Sequence, residues 1–548
     1  MKLNRTVSAE LVALCASAYF ICALNVPFWR QLYAAVAPGS LYEVAFFGAV
    51  ALLAFALLAW AFVCLAIPYV FKPVLSVLLL VTSAAAYFTA EYGTVFDADM
   101  VRNILETDRA EATELITANL LILVLGLGAL PVAILWALDI VYRPVWRGLR
   151  FKALATLATA AIVLAIGLPF AANFTSVFRH HRELQFALMP VNYLSAMAEV
   201  GRKSFRAARA ELLPFGTDAR RHTDTTPAAT RSVTVLVIGE TARAANFSLN
   251  GYGRETNPLL AKVPDLINYS KVFSCGTATA QSVPCLFSGM GRTKYDRHDA
   301  LAREGLLQIL QRAGFSVLWR ENQGGCAGVC KGIPIELMDR AGTRALFEIG
   351  DSLDENLING LQEKIDAMPG HAVIVLHMMG SHGPAYHKRY PAAFERFEPV
   401  CKETQFSRCQ RQEIVNAYDN TIVYTDYVLA RLIELLRKTD QAGTPASMIY
   451  ISDHGESLGE GNVYLHGLPY ALAPDMQKHV PMLVWLSPIA RFQGRIDGGC
   501  LARSRHEPLS HDNFFHSVLG LLHVHSTVYD RELDVFAPCR VAGGRDED

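Results

Sequence analysis

Several side chains that could bind a metal lie at, or within about a dozen residues beyond, the ends of short apolar runs in the C-terminal part of the chain. These side chains are Glu240, His377, His382, Asp453, His454 and His466. Carboxylate oxygens and imidazole nitrogens are both ligands that Zn²⁺ accepts. A single carboxylate at the end of a strand is more often a helix cap or an ion-pair partner, but the set as a whole predicts a zinc site.

A second set of groups that could take part in a reaction consists of hydroxyls, in the run KVFSCGTATAQSVPC at residues 271–285. A threonine or serine hydroxyl hardly ionises at neutral pH, so as a nucleophile it needs a base or a metal beside it. Residues 279–289 are predicted to begin a helix, whose free N–H groups would hold an anionic phosphate. A bridge between the two cysteines would fix the hydroxyl relative to the metal. Chemistry alone leaves four candidates for the nucleophile: Ser274, Thr277, Thr279 and Ser282.

The elements that must position these residues are strands. From residue 232 onward, the β-rich runs VTVLVIGE, FSVLWRE, HAVIVLHMMGSHG and SMIYISDHGE alternate with helical sequence. Fully apolar strands that alternate with helices predict a mostly parallel sheet covered on both faces. In such sheets ligands bind beyond the carboxyl ends of the strands, which is where the candidate residues fall.

The first third of the chain has a different pattern, since it consists mainly of long apolar runs. Each run is close to the roughly 20 residues that a membrane-spanning helix needs. The first run could be a signal peptide, but four more follow it and no clear cleavage site ends it. The sequence therefore predicts five membrane spans, at about residues 9–28, 43–67, 72–90, 119–142 and 153–174.

Charges in the loops predict the orientation of these spans. The short connection around residues 143–152 carries four basic side chains, which places it in the cytoplasm by the positive-inside rule. The longer loop before the fourth span is acidic and belongs on the other side. Since the connection before the fifth span is cytoplasmic, everything after that span, from about residue 175, is expected outside the cytoplasm. The formal net charge of −1 gives no indication of nucleic-acid binding.

The segment between the membrane spans and the strands has two parts that differ in composition. Residues 176–215 mix bulky apolar side chains with bases, which predicts amphipathic helices lying along a membrane surface. Residues 216–230 are polar and aperiodic, which predicts a linker. The chain thus divides into a transmembrane domain at 1–175, bridging helices and linker at 176–231, and a catalytic domain at 232–548.

Cysteine usage agrees with export of the C-terminal part. Eight of the 11 cysteines lie there in an even number of close pairs, which is typical of disulfides in an oxidising compartment. The C-x-x-x-C spacing of one pair also suits a metal site, but neither a second cysteine pair nor a histidine pair accompanies it. Proximity alone predicts the pairs Cys275–Cys285, Cys326–Cys330, Cys401–Cys409 and Cys500–Cys539.

Taken together, the stretches VIGETARAANFSLNGYGRETNP, SCGTATAQSVPC, MMGSHGPAYHKRYP and SDHGESLGE resemble the lipid A phosphoethanolamine transferases, including the mobile colistin-resistance proteins. The resemblance covers essentially the whole chain. It implies an all-α transmembrane domain of five helices followed by an α/β/α domain of the alkaline-phosphatase/sulfatase type. It also implies that Thr279 is the nucleophile, and that one zinc ion is firmly held by Glu240, Thr279, Asp453 and His454.

The same resemblance assigns substrate contacts. It implies that His382 and His466 bind substrate phosphate or a second zinc ion, and that His377 is more loosely tied to substrate. In the acidic loop, DMVRNILETDRAEATEL resembles the family's phospholipid-binding segment, and the corresponding residues are Asn103, Thr107 and Glu111. Their spacing of four places them in one stripe if the segment is helical.

Two positions depart from the family pattern. Ala327 stands in CAGVC where many members have a lysine, and Gln323 stands where an asparagine is common. If that lysine contacts substrate phosphate, this chain must supply the charge elsewhere or bind more weakly.

The implied function is a two-step transfer of phosphoethanolamine from phosphatidylethanolamine to a lipid A phosphate, through a covalent phospho-threonine, giving polymyxin resistance. The enzyme is expected to be monomeric, in the bacterial inner membrane, with its catalytic domain in the periplasm. Three alternatives stay open. The acceptor could be core heptose or a periplasmic glucan, the acceptor could be water, or the chain could be an inactive membrane sensor or binding protein.

Overall fold

The computed structural model describes residues 6–106, 109–181, 184, 186–207, 212–222, 231–338 and 353–541. The chain divides into two compact units. The first unit comprises Met1–Val101 and Ile116–Glu199, and the second comprises Arg102–Leu115 and Val200–Asp548. Part of the acidic loop between the third and fourth predicted spans therefore belongs to the C-terminal unit.

The first unit is helical, as predicted. Within the described residues, four helices are long and apolar enough to cross a membrane: Leu41–Leu65, Phe71–Tyr92, Ala118–Ala137 and Val145–Gly167. A fifth span is formed if the pair Ala9–Leu24 and Val26–Val36 is counted as one, although the pair is bent by 64°. The structure thus has four or five candidate spans among the described residues, and the predicted number of five holds if this pair is one span. Helix Ala171–His180 follows the last span.

The first and last spans differ from the sequence prediction in detail. The first bends at Asn25, whose side-chain amide donates to Phe20 O and Met189 O, so that a polar group interrupts the apolar run. The last span begins at Val145 rather than near residue 153. Its first turns include Arg147 and Arg150, because arginine favours the helix even where it lowers the hydropathy of the segment.

The second unit is built around an eight-stranded sheet, whose strands we number β1 to β8 in chain order. They are β1 Ser232–Gly239, β2 Ile267–Phe273, β3 Ser316–Glu321, β4 Ile335–Leu337, β5 His371–His377, β6 Ala446–Ser452, β7 His479–Leu486 and β8 Leu509–Ser510. The spatial order is β8-β2-β7-β6-β1-β5-β3-β4. Only β7 runs antiparallel to its neighbours, β2 and β6. The sheet is therefore mostly parallel, as predicted.

Helices cover both faces of this sheet. Alternate strand residues such as Leu236 and Ile449 share one core with helices Thr279–Ser288, Leu306–Arg312 and Asp512–Leu521. The intervening residues, such as Val235, are buried on the opposite face, and the helix Arg411–Gln441 contacts β6. This is the predicted α/β/α arrangement. The remaining helices of the unit are Arg109–Glu114, Arg297–Ala302, Leu361–Ala367, Pro488–Gln493 and Gly498–Ser504.

The bridging segment contains a helix, and some of its later residues pair with a strand of the second unit. Helix Val191–Ala207 lies in the predicted amphipathic region. The predicted linker is wrong for its first residues, because Arg220–Arg221 pairs as a strand with Val524–His525 and Ala219 is buried in the core. A short polar run thus gains order from partners about three hundred residues away in sequence, which no local pattern reveals. Residues 223–230 of the predicted linker lie outside the described residues.

Candidate active site

The three predicted protein ligands of a metal meet at one edge of the sheet. Strands β1 and β6 are parallel neighbours with Gly239 opposite Ser452, so the residues that follow them are brought together. Glu240 follows β1, and Asp453 and His454 follow β6. One ligand atom from each lies within 4.8 Å of the others, and all three residues are buried. This is the carboxyl edge at which parallel sheets bind ligands.

His454 is held in the form that binds metals. Its Nδ1 donates to Gly455 O at 2.9 Å, which leaves the lone pair of Nε2 directed at the site. That Nε2 lies 3.3 Å from Asp453 Oδ2 and 3.5 Å from Glu240 Oε1. Burial lowers the pKa of His454 to about 4, so the imidazole is neutral at pH 7. A neutral imidazole is the species that ligates a metal ion.

The two carboxylates are buried side by side, and one of their oxygens has no donor among the described residues. Burial, and then the charge of Asp453, raise the pKa of Glu240 well above its ordinary value. Asp453 Oδ1 accepts from the backbone N–H groups of Thr241 and His454, whereas Oδ2 finds no hydrogen-bond donor among the described residues. Buried charges need a counter-charge. Two oxygens and one imidazole nitrogen are a donor set that fits Zn²⁺.

Thr279 supplies the fourth group of the site. It is the first residue of helix Thr279–Ser288, so it sits where helix N–H groups are free for an anion. Its Oγ1 donates to Glu240 Oε2 at 3.0 Å and lies 3.4 Å from His454 Nε2. The hydroxyl is thus in contact with two of the three candidate ligands.

The other three hydroxyls of the run have different surroundings. Ser274 Oγ donates to Gly276 O, and Thr277 Oγ1 donates to Leu468 O at 2.6 Å, so both hold local backbone. Ser282 is buried, and its Oγ finds no hydrogen-bond partner among the described residues. Of the four candidates, the geometry brings Thr279 to the carboxylates.

The disulfides follow the predicted pattern. Cys275 and Cys285 are bonded, and the bridge joins the turn before Thr279 to the body of its helix. Cys326 with Cys330, Cys401 with Cys409 and Cys500 with Cys539 are also bonded. The cysteines of the apolar helices, Cys15, Cys22 and Cys64, are free.

Two further predicted histidines extend the site. The ring of His466 lies 4.4 Å from that of His454 and 5.6 Å from that of His382, measured between ring centroids. His466 Nδ1 is 3.4 Å from the buried carboxylate of Glu456. Burial, with the nearby His466 and Arg389, lowers the pKa of His382 well below its ordinary value. His466 therefore lies between His382 and the candidate ligand His454 in one cluster of rings.

His377 makes its polar contact with Glu321 rather than with the three candidate ligands. It is fully buried, and its Nδ1 pairs with Glu321 Oε2 at 2.9 Å. Burial would lower the pKa of His377, but the charge of Glu321 and its hydrogen bond raise it overall. Glu321 Oε1 also accepts from the backbone N–H of Gln323 at 2.7 Å. His377 thus supports a neighbouring loop and makes its polar contact inside the protein.

That loop contains a site contact that sequence reasoning did not identify. Gln323 Nε2 donates to Glu240 Oε2 at 3.2 Å, on the same oxygen that accepts from Thr279. The sequence signalled this position only as a departure from the family pattern. A second such residue is His511, whose Nε2 donates to Ser452 O at 3.0 Å, directly before Asp453. It directly precedes helix Asp512–Leu521.

Close backbone packing also shapes the site at Gly380. Its φ is +51°, and a Cβ atom there would lie 2.5 Å from the carbonyl oxygen of Glu240. Its N–H donates to Asp354 Oδ2 at 2.8 Å. Only glycine combines this left-handed backbone with so close an approach.

The predicted phospholipid-binding residues are only partly described. Asn103 lies in helix Ala98–Glu106, whereas Thr107 and the side chain of Glu111 lie outside the described residues. Their common stripe therefore stays a prediction. The segment Arg102–Leu115 belongs to the catalytic unit, as expected for a loop that folds against it.

Comparisons with known proteins agree in every part of the chain. Residues 232–524 match the Sulfatase family, and residues 53–205 match the family "Phosphoethanolamine transferase EptA/EptB". The chain is 39% identical over 545 residues to phosphoethanolamine transferase EptA of Escherichia coli K12, covering 98% of this chain and 99% of that protein. It is also 39% identical over 427 residues to phosphatidylethanolamine transferase Mcr-1 of Escherichia coli, covering 76% and 78%.

The fold agrees with a solved structure over its full length. The integral membrane protein lipooligosaccharide phosphoethanolamine transferase A from Neisseria meningitidis superposes with a TM-score of 0.92. The sequence identity is 34%, and the match covers 98% of this chain and 100% of that one.

Proposed function

Because this chain belongs to the phosphoethanolamine transferase family, we propose that it moves phosphoethanolamine from phosphatidylethanolamine to a phosphate of lipid A through a covalent intermediate on Thr279. One observation carries the proposal. The Thr279 hydroxyl opens a helix and donates to Glu240 Oε2 at 3.0 Å, beside a buried donor set that needs a cation. A hydroxyl in that position can act as nucleophile toward an anionic phosphorus group.

The metal in this proposal is Zn²⁺, held by Glu240, Asp453 and His454. When bound, it supplies positive charge that lowers the pKa of an adjacent hydroxyl and offsets negative charge on a transferring phosphoryl group. The protein's own contribution is the fixed geometry. Gln323 holds Glu240 Oε2 from one side, and the Cys275–Cys285 bridge restrains the turn before Thr279.

In the first step, Thr279 Oγ1 attacks the phosphorus of phosphatidylethanolamine. The hydrogen bond to Glu240 Oε2 orients the hydroxyl and gives its proton an acceptor. The bond from phosphorus to the glycerol oxygen breaks, and diacylglycerol leaves as the alcohol after taking up that proton. Phosphoethanolamine remains esterified to Thr279.

In the second step, a phosphate oxygen of lipid A attacks the same phosphorus. The bond from phosphorus to Thr279 Oγ1 breaks, and the hydroxyl regains a proton from the acceptor phosphate. His382 and His466 support this exchange, because their rings lie 5.6 Å apart next to His454 and can donate to phosphate oxygens. They are also the residues that would hold a second zinc ion. Asn103, Thr107 and Glu111 are the proposed donor-headgroup contacts, with Glu111 as partner of the ammonium.

The setting follows from the first unit. Its apolar helices resemble the membrane domain of the family, and the chemistry takes place on the periplasmic side of the bacterial inner membrane. The transferred ammonium offsets negative charge on lipid A, which weakens Coulomb attraction to cationic polymyxins. Polymyxin resistance is the phenotype that this chemistry would produce.

Mass spectrometry of lipid A tests the acceptor. Cells that make the wild type should carry phosphoethanolamine on lipid A, and cells that make Thr279→Ala should not. Core oligosaccharide and periplasmic glucan from the same cells serve as internal comparisons. If lipid A stays unmodified while one of these glycans gains the group, the proposed acceptor is wrong. If free phosphoethanolamine alone accumulates, water is the acceptor and the protein is a phosphodiesterase.

A further inference from the structure

A buried carboxylate outside the zinc site ties the acidic segment to the catalytic unit. Glu114 is the last residue of helix Arg109–Glu114, within the segment Arg102–Leu115 that belongs to this unit. Its side chain is only 3% exposed. Glu114 Oε2 accepts from the Arg389 guanidinium at 2.8 Å, and Oε1 accepts from Lys388 Nζ at 3.2 Å.

The same arginine continues the connection toward the active site. Arg389 is 5% exposed, and its Nε donates to the backbone oxygen of His382 at 2.8 Å. One planar guanidinium therefore holds the carboxylate of Glu114 and the backbone of His382 at once, in a fixed fork. The ring of His382 in turn faces His466, 5.6 Å away between centroids.

The contrast between the two cations shows which contact matters. Lys388 is 33% exposed, so solvent screens its attraction for Glu114. Arg389 is buried, with side chains 5% exposed for Arg389 and 3% exposed for Glu114, so solvent screens this pair little. The Glu114–Arg389 pair is thus the stronger of the two contacts.

We propose that Glu114 is a positioning residue for the donor: through Arg389 it fixes the phospholipid-binding segment relative to the backbone of His382. This inference rests on the proposed function, because it assigns the donor to the segment that contains Asn103 and Glu111. Glu114 touches neither the reacting atoms nor the zinc ligands. Its loss therefore weakens donor binding and leaves the attack of Thr279 on bound donor nearly unchanged.

The test measures how fast Thr279 of the full-length protein acquires phosphoethanolamine in mixed micelles of phosphatidylethanolamine and a nonionic detergent. The mole fraction of phosphatidylethanolamine is varied. In Glu114→Gln, the half-saturating mole fraction should rise about tenfold, a typical coupling between linked sites, with nearly unchanged maximal loading rate and zinc content. Glu255→Gln is the matched control, because Glu255 pairs with Arg396 on the surface, where both side chains are exposed. It should behave like the wild type.

A second variant covers the case in which Glu114→Gln does not fold. Arg389→Lys keeps a positive charge opposite Glu114 but cannot reach both Glu114 and His382 O, so it should raise the half-saturating mole fraction as well. An unchanged donor dependence in the folded variants, or an equal rise in Glu255→Gln, overturns the proposal.

Hydrogen exchange separates this inference from the proposed function, since it needs no turnover. In Glu114→Gln, amides of residues 109–115 and of residues 382–389 should exchange faster together, while those of β1 and β6 stay protected. Faster exchange in residues 109–115 alone would show that Arg389 does not transmit the change. If the wild type is not loaded from phosphatidylethanolamine at all, the proposed function fails, and the exchange result still decides the link.

Discussion

The helices of the first unit consist of long apolar runs and the central strands of the second unit of short ones, and the two regions expose these runs very differently. In helix Val145–Gly167, none of its most apolar 18-residue window is buried, and Leu157 is 68% exposed. In the sheet, Val235 and Ile374 have no exposed surface. Apolar side chains can face lipid without cost, whereas in water they must be covered by other elements.

Polar groups differ between the two regions as well. Buried polar side chains of the first unit are satisfied nearby, as Ser17 is by Ala13 O and Thr82 is by Tyr193. At the strand ends of the second unit, Glu240 and Asp453 are buried together, and Asp453 Oδ2 has no hydrogen-bond donor among the described residues. A buried polar group that the fold itself satisfies is structural, whereas an unsatisfied carboxylate oxygen beside other possible metal ligands points to a site.

The largest expected effect comes from removing one of these carboxylate charges. Glu240→Gln should lower the transfer rate by roughly a hundred- to a thousandfold, because the amide oxygen carries no charge for a cation or for the Thr279 proton. Bound zinc, measured by elemental analysis of the purified protein, should fall in parallel. Glu363→Gln, on an exposed position of helix Leu361–Ala367, is the control and should keep both activity and zinc. Full zinc occupancy in Glu240→Gln would remove Glu240 from the ligand set.

A charge placed on an apolar helix of the first unit tests whether its exposed side chains face lipid. Leu157→Arg should disfavour membrane insertion by about 2.5–3.5 kcal/mol, since Leu157 lies near the middle of its span. Protease protection in membranes measures the inserted fraction, with Leu157→Met as the neutral control. Phe492→Arg, at an 84% exposed position of the catalytic unit, should change stability by less than about 0.5 kcal/mol. Equal insertion of Leu157→Arg and wild type would mean that this face does not meet lipid.

The disulfides allow stability and chemistry to be separated within the second unit. Cys275–Cys285 and Cys401–Cys409 close loops of similar size, with sequence separations of 10 and 8. Replacing either pair by serine should lower stability by about 2–4 kcal/mol, as measured by thermal unfolding. Only loss of Cys275–Cys285 should also slow loading of Thr279 under conditions where both variants are folded. Equal loading rates would show that this bridge stabilises the fold without positioning the nucleophile.

The smallest expected effect is a difference in stability between the alanine variants of two glycines that both have a left-handed backbone. Gly380 has a φ of +51° and Gly370 has a φ of +64°. A Cβ atom at Gly380 would meet Glu240, whereas a Cβ atom at Gly370 would have nothing within 4 Å. Gly380→Ala should therefore be less stable than Gly370→Ala by about 1–3 kcal/mol, the usual cost of overpacking. Chemical denaturation of the two variants measures the difference. Equal stabilities would mean that the loop moves aside freely.

How much the sequence predicted depends on whether the cause is local. The central strands β1, β3, β5 and β6 were predicted, because each is an apolar run that ends in polar residues. Their parallel pairing explains why Glu240 and Asp453 could be expected at one edge. The strand β7 was not predicted, although its residues are as apolar, because its antiparallel place is set by partners far away in the chain.

Thr279 shows the limit for the site. Spacing alone could not separate it from three neighbouring hydroxyls, since the choice depends on distance to Glu240. The contact of Gln323 with Glu240 and the pair of Glu114 with Arg389 join residues 83 and 275 positions apart. Neither leaves a local pattern.

The most direct test of the account is the fate of Thr279 when donor is present and acceptor is withheld. Full-length protein is incubated with phosphatidylethanolamine in detergent micelles, and the peptide that contains residues 275–285 is analysed by mass spectrometry, alongside released diacylglycerol. The account predicts one phosphoethanolamine group on Thr279 in the wild type and in Ser282→Ala, and none in Thr279→Ala. Release of diacylglycerol with an unmodified Thr279, or modification of another residue, would contradict it.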